Sequence, residues 1–376
     1  MTAVEGRTLL PVLPSDNAGP GTHDRDVPFY NPAMRRNRDL SLLLLRHQLR
    51  ERGRELDVAD ALCGAGARSL RFAHETEGPL VVHANDGDPK AIDLLLAARE
   101  RNGIPEDRLV PRHGNAFTFL SERRYDLVDI DPFGSPAPFL DAAVRATRHD
   151  GYVCLTATDT GALCGTYPRV CRRRYAAWHG LHATPWRAEA GLRILAASAV
   201  HAAGRLDREA RPVWSVFGGH WMRVVLRVRD GRGPADRALR EVAHAAVPAG
   251  GADRPAFTRA PPEGERWAGP LWTGPLHDAG VLRGMRAAVD DAIDGRSVRL
   301  LDVLLEEADA PAWWVEPRLL RALDGGDAPP RDAFMAALRE AGLAATRSHM
   351  DPEGVRTDAG GDALLRAVAA ARSAGS

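Results

Sequence analysis

The stretch Asp131-Pro132-Phe133-Gly134-Ser135-Pro136 directly follows the apolar run Tyr125 to Ile130, which gathers an acid, a carbonyl and an aromatic ring at the end of a buried strand. Those are the groups needed to hold an aromatic exocyclic amine. Such a nitrogen is a poor nucleophile because its lone pair is conjugated into the ring. Acceptors placed around its N–H bonds hold it toward a pyramidal geometry, which is electrostatic preorganisation rather than covalent chemistry. Asp131 is accordingly the candidate that orients the amine and takes up its proton, Pro132 supplies a carbonyl acceptor, and Phe133 offers a stacking face. An ordinary strand-ending turn has a similar composition, since Asp-Pro followed by Gly is common turn chemistry.

A second constellation lies earlier in the chain. Cys63-Gly64-Ala65-Gly66-Ala67-Arg68-Ser69 is a Gly-containing turn between a strand and a helix, where backbone amides can approach a ligand closely. Asp86 stands 22 residues beyond Gly64 at the end of the next strand, where an acid accepts both ribose hydroxyls of an adenosine cofactor. Arg68, one turn into the helix, is a candidate for the cofactor carboxylate, with solvent as the alternative. Asn115-Ala116 follows the third strand, where the adenine edge is contacted in such folds, with a polar surface loop as the alternative. The turn is also close to a dinucleotide fingerprint, so an NAD-dependent enzyme is a rival. The Asp-Pro-Phe turn favours amine methylation, because it has no task in hydride transfer.

The elements that must position these residues alternate. Strands are predicted at Leu56 to Leu62, Leu80 to Ala84, Leu109 to His113, Tyr125 to Ile130 and Tyr152 to Ala157. Helices are predicted at Arg68 to Glu77, Asp88 to Asn102, Phe139 to Thr147 and Glu189 to Arg205. Val213 to Phe217 and Trp221 to Val228, separated by Gly218-Gly219, read as a closing hairpin. Five parallel strands with a terminal hairpin is the sheet order of a class I, Rossmann-like α/β methyltransferase domain. A turn-rich stretch from Arg229 to Pro234 suggests a boundary, giving residues 1–231 as the catalytic domain with an N-terminal extension and 232–376 as a smaller C-terminal α+β domain. In the latter, Gly250 to Gly264 reads as a loop, and Leu276 to Asp294, Val298 to Ala308 and Arg331 to Ala341 as helices. The tails, Met1 to His23 and Arg372 to Ser376, are expected to be mobile unless they dock.

Composition narrows the classes. A chain of 376 residues with 44% hydrophobic content is neither disordered nor fibrous, and no run of 18 apolar residues suggests a membrane span. The start lacks the pattern of a signal peptide, so a cytoplasmic protein is expected. Four scattered cysteines, Cys63, Cys154, Cys164 and Cys171, read as reduced thiols. Net charge is zero, yet Lys90 is the only lysine, so nearly all the cationic groups are arginines, and a GC-rich genome explains that better than selection for RNA binding does. Arg169, Arg172, Arg173 and Arg174 stand close to Tyr167, Tyr175 and Trp178 and suit either a phosphate grip or a solvated helix face. His179, His182, Cys164 and Cys171 fit no common zinc spacing.

With these residues placed, the chain resembles the tRNA (guanine-26-N2)-dimethyltransferase family through both halves. Phe29-Tyr30-Asn31-Pro32 with Asn37-Arg38-Asp39-Leu40-Ser41 resembles its N-terminal signature, and Arg38 matches its cofactor-binding arginine. Asp60-Ala61-Leu62 leading to Arg68, Asn85-Asp86, and Asp129 through Pro136 are similar to successive core motifs. Thr156 to Thr160, Leu163-Cys164-Gly165, Tyr167-Pro168 and Gly191 to Leu195 resemble its later segments, as do Gly269-Pro270-Leu271-Trp272, Ser348 to Pro352 and Arg356-Thr357-Asp358. Family members often carry Asp where this chain has Asn115, and many carry paired cysteines that Ala252 to Ala268 lacks, so no structural zinc is expected.

The resemblance implies two successive methyl transfers from S-adenosylmethionine to N2 of one guanine in tRNA, with no metal and no covalent enzyme intermediate. It implies Asp131, Pro132 and Phe133 as catalytic, and Arg38, Gly64, Arg68, Asp86, Asn115 and Ala116 at the cofactor. The target base must leave its stack, because its edge is covered in folded tRNA. The expected partner is tRNA, with no membrane and no obligate protein partner, for a monomer. A methyltransferase for adenine N6 would share the Asp-Pro-Phe turn without needing the second-half motifs. A non-catalytic tRNA-binding protein would tolerate loss of Asp131.

Overall fold

The computed structural model describes residues 2–11, 30–247, 255–264, 266–308, 314–315 and 328–373. A hairpin, β1 (Thr2–Glu5) and β2 (Thr8–Pro11), precedes α1 (Arg35–Arg52). Alternating elements follow: β3 (Leu56–Asp60), α2 (Ala67–Glu75), β4 (Leu80–Asp86), α3 (Pro89–Arg101), β5 (Leu109–His113), α4 (Ala116–Ser121), β6 (Tyr125–Ile130), α5 (Leu140–Ala146) and β7 (Thr147–Ala157). Then come α6 (Thr160–Leu163), α7 (Pro168–Tyr175), β8 (Trp178–His179), α8 (Arg187–Gly204), β9 (Arg208–Phe217) and β10 (Met222–Asp230). The C-terminal part holds α9 (Arg232–Arg240), β11 (Val242–Ala246), β12 (Ala256–Thr258), β13 (Trp267–Trp272), α10 (Ala279–Ala287) and α11 (Gly295–Ala308). It ends with β14 (Trp314–Val315), α12 (Arg331–Glu340), β15 (Ala345–Arg347), β16 (Val355–Thr357) and α13 (Gly361–Ser373).

The main sheet has seven strands in the order β5-β4-β3-β6-β7-β10-β9. β5 through β7 are parallel, and β10 runs antiparallel to both β7 and β9. This is the α/β arrangement the alternation predicts. All six residues of β6 are buried, as expected for a central strand covered on both faces. Its side chains alternate between two cores. Val128 and Ile130 join Leu192, Ile194 and Leu195 of α8 on one face, while Leu127 joins Leu42, Leu43 and Leu45 of α1 on the other. Both cores draw residues from either side of residue 232, with Leu271 and Trp272 in the first and Leu282, Met285 and Leu301 in the second. Phe334, Leu338, Val355 and Val368 centre a third, smaller core.

Several elements differ from the sequence reading. Helix α1 is not predicted, because Asn37, Arg38, Asp39, Ser41, Arg46, His47 and Gln48 are buried along with its leucines and no amphipathic period shows. The N-terminal segment docks: Leu9 and Asn102 exchange hydrogen bonds of 2.8 Å, and Thr8 Oγ1 donates to Glu75 at 2.7 Å. Met1 and residues 12–23 of that predicted tail lie outside the described residues. The helix predicted from Leu276 to Asp294 is the shorter α10, started by Asp278, which caps Gly280 N at 2.8 Å. Asp294 then accepts from Arg296 N at 2.8 Å where α11 begins. The loop predicted from Gly250 contains β12, which pairs with β11. Arg372 and Ser373 continue α13 rather than forming a tail, and 374–376 lie outside the described residues.

Candidate functional site

Parallel strands place their C-terminal ends on one edge, and β3, β4 and β6 end there in Asp60, Asp86 and Ile130-Asp131. Asp60 and Asp129 sit side by side in register. Arg68, from the first turn of α2, reaches into this cluster and is fully enclosed. Its Nη2 donates to Asp131 Oδ2 at 2.5 Å and to Asn37 Oδ1 at 3.0 Å, its Nη1 donates to Ser41 Oγ at 2.8 Å, and its Nε lies 3.5 Å from Asp129 Oδ1. Arg223 of β10 pairs with the other side of Asp129 and donates to Thr156 Oγ1 at 2.6 Å. Two arginines thus face three carboxyls. Burial, then the neighbouring Asp129 carboxylate, push Asp60 up to about 7, against the opposing pull of Arg68 and the Ser69 hydroxyl.

The acid-Pro-aromatic turn is pinned from outside. Gly134 has φ of +88°, a conformation that suits glycine, and its N–H donates to Thr158 Oγ1 at 2.7 Å while its carbonyl accepts from Thr158 N at 2.8 Å. Ser135 Oγ donates to the Tyr175 hydroxyl, which donates to Asp159 Oδ1, both at 2.7 Å. This chain ties the turn to α7. Asp131 retains 22% side-chain exposure, and only its Oδ2 takes a hydrogen bond among the described residues. Pro132 is half-buried. Phe133, next but one to Asp131 in the chain, is 77% exposed, and Tyr167 is 61% exposed.

Of the residues expected at the cofactor, Gly64 and Asp86 meet directly: Asp86 Oδ2 accepts from Gly64 N at 2.8 Å, and Oδ1 accepts from Asp88 N at 2.9 Å. The acid therefore shapes the glycine turn and keeps lone pairs for hydroxyls. Asn115 is the N-cap of α4, its Oδ1 accepting from Phe117 N at 2.8 Å and Thr118 N at 3.3 Å. Only its amide N–H bonds remain for a ligand. Ala116 is buried at the start of α4. Arg38 is held elsewhere: Glu5 takes it through two hydrogen bonds of 2.8 and 2.6 Å, Asn31 O through one of 3.0 Å, and the Tyr30 ring lies 5.1 Å away. Burial raises Glu5, but the hydrogen bond and charge of Arg38, with Arg71, outweigh it and hold the carboxyl down at about 2.

The basic run forms one face of α7. Arg169, Arg172 and Arg173 are exposed while Cys171 and Tyr175 are buried, and Arg174 is bound to Asp159 at 2.8 Å. His179 is a buried structural residue: Nε2 faces Arg187 O at 3.0 Å, Nδ1 faces Leu181 N at 3.3 Å, and burial lowers it to about 4. Among the described residues only His277, Glu307 and His349 bring three possible ligand atoms within 4.8 Å of one another. Glu307 Oε2 lies within hydrogen-bond distance of both histidines. Phe217 N donates to His349 Nε2 at 3.2 Å, which puts the imidazole proton on Nδ1, 2.6 Å from Glu307 Oε2. Arg356 links Glu307 to Glu189 of α8, so the knot joins both parts of the chain.

Asn37, Ser41 and Asp129 were named from sequence only as parts of motifs and Tyr175 only beside the basic run, none with a role, and Arg223 was not named at all. Asp129 carried a signal, an acid inside the strand Leu127-Val128-Asp129-Ile130, since a buried carboxylate needs a partner. Arg223 carried none, because only folding brings it near.

Known proteins extend this picture. The family described as N2,N2-dimethylguanosine tRNA methyltransferase matches residues 21–369. A tRNA (guanine(26)-N(2))-dimethyltransferase of Pyrobaculum neutrophilum is 37% identical over 340 residues, covering 90% of this chain and 92% of its own. One from Methanothermobacter thermautotrophicus is 34% identical, covering 88% and 90%. The structure of Trm1 from Pyrococcus horikoshii in complex with S-adenosyl-L-methionine superposes with a TM-score of 0.85 at 27% identity, covering 98% of this chain and 99% of that one.

Proposed function

The chain belongs to the N2,N2-dimethylguanosine tRNA methyltransferase family, and from that footing we propose that it dimethylates N2 of guanine 26 in tRNA with two molecules of S-adenosylmethionine in succession. The cofactor supplies an electrophilic methyl group on a sulfonium. The residues present fit it: Asp86 closes the Gly64 turn with acceptors to spare, and Asn85 Oδ1 beside it is buried without a hydrogen-bond partner among the described residues. In this reading Asp86 takes the ribose, Arg68 serves the carboxylate end, and Asn115 and Ala116 border the adenine. Arg38 supports the same region through α1 and Glu5.

Asp131 carries the reading on the acceptor side. Its Oδ2 is held by Arg68 while Oδ1 is left for an N–H bond, at the strand edge where parallel sheets bind ligands. Oδ1 and the Pro132 carbonyl orient the guanine amine, and the exposed Phe133 ring receives the unstacked base. Arg169, Arg172 and Arg173 lie on a helix tied to this turn and meet phosphates. Residues 1–231 form the catalytic part and 232–376 the part that recognises tRNA, in a monomer acting in the cytoplasm. Among the described residues no helix is long and apolar enough to cross a membrane.

Mass spectrometry of nucleosides from an unmodified tRNA transcript, treated with the protein and methyl-labelled cofactor, tests the function. Labelled N2,N2-dimethylguanosine at position 26 is expected. Methyl groups found only on adenine would support the rival activity, and no methylation would end the reading.

A further inference from the structure

Arg68 stands between the two halves of this site. Two neutral groups on α1, Ser41 Oγ at 2.8 Å and Asn37 Oδ1 at 3.0 Å, hold its guanidinium on one side, and Asp129 lies 3.5 Å from Nε. Asp131 Oδ2 takes the other N–H of Nη2, beside Asn37, at 2.5 Å. The guanidinium therefore stays in place if Asp131 leaves. Asp131 is also the more accessible partner, 22% exposed where Arg68 is 5% exposed. While Oδ2 is committed to Arg68, one carboxylate oxygen faces an acceptor amine that carries two N–H bonds.

We propose that Arg68 is a positioning residue that exchanges carboxylates: the guanidinium that holds Asp131 accepts the carboxylate of the cofactor's amino-acid tail in its place, and so releases Asp131 to the acceptor amine. The exchange rests on the reading that Arg68 serves the cofactor and Asp131 the amine. Two anions that compete for one fixed cation oppose each other, and by linkage the effect is reciprocal. Cofactor binding then precedes full engagement of the base. Lysine could not replace Arg68, because a single ammonium lacks the planar fork that serves Asn37, Ser41 and a carboxylate at once.

The test is calorimetry with two probes, S-adenosylhomocysteine, which has the amino-acid tail, and 5′-methylthioadenosine, which lacks it. Asp131→Asn keeps the shape of the turn and removes the competing charge. It should tighten S-adenosylhomocysteine by about 5- to 20-fold, within the usual range of coupling between sites, and leave methylthioadenosine within about twofold. In an Arg68→Lys background, or Arg68→Gln if that variant folds better, Asp131→Asn should no longer tighten either probe. Equal affinities of wild type and Asp131→Asn for S-adenosylhomocysteine would overturn the exchange. So would tightening of both probes alike, or tightening that persists without Arg68, since a general change in potential would then suffice. A wild-type protein that binds neither probe would instead overturn the cofactor reading itself.

Discussion

Replacing Asp131 by Ala isolates the chemistry assigned to its carboxylate. The fold should survive, because Arg68 keeps Asn37, Ser41 and Asp129 as partners and the turn is still pinned through Gly134 and Thr158. Phe133 therefore keeps its place. What is lost is one preorganised charged acceptor at the amine, and removal of such a partner costs ~2.7–4 kcal/mol of transition-state stabilisation, a factor of ~10²–10³ in rate. The assay is single-turnover methyl transfer from labelled cofactor to an unmodified transcript, at saturating tRNA and cofactor, with affinities measured separately. Asp131→Asn sharpens the result, since its amide oxygen still accepts a hydrogen bond while charge and proton-accepting capacity are gone. Partial activity in Asn with almost none in Ala means alignment, and equal loss in both means base catalysis. A near-normal single-turnover rate in Asp131→Ala would refute the reasoning outright.

Asp86→Ala should weaken S-adenosylmethionine by about 10- to 100-fold in calorimetry, as expected for loss of a charged acceptor worth ~1.5–3 kcal/mol, with tRNA affinity unchanged. Unaltered cofactor affinity in the folded variant would remove Asp86 from the site. Gln at Arg172, Arg173 and Arg174 should lower tRNA affinity and flatten its logarithmic salt dependence by roughly two, because Arg174 is already bound to Asp159 and two arginines remain to release counterions. Identical binding at every salt concentration would leave that face merely solvated. Asp60, pushed from its ordinary 3.8 up to about 7, favours the folded state fully below the lower value and loses that contribution as pH rises through the higher one. Asp60→Asn should therefore flatten the melting temperature between those pH values and raise it by at least ~2 °C above neutrality in cofactor-free protein, and an unchanged profile would contradict the assignment.

Local pattern was enough for the elements whose burial is one-sided or complete. The alternation of apolar runs and amphipathic stretches gave β3 through β7 and α3, and the groups gathered by the Asp-Pro-Phe turn were legible because acid, carbonyl and ring are covalent neighbours. The place of Asp86 beside the Gly64 turn was legible too, since its distance from Gly64 follows from the length of one strand-helix-strand unit. Helix α1 was not, because a helix enclosed on all sides shows no polar face, and its buried Arg38, Asp39 and Arg46 find partners such as Glu5, Arg71, Ser297, Glu75 and Asp290 in distant segments. The partner of Asp131 was likewise beyond sequence reasoning. Arg68 and Asp131 are 63 positions apart, and the pair forms because β3 and β6 are adjacent in the sheet while α1 supplies Asn37 and Ser41 from behind. Residue types dictated what chemistry was available; which charges face each other depended on strand order, because Coulomb and hydrogen-bond contacts act over a few ångströms of space and not along the chain.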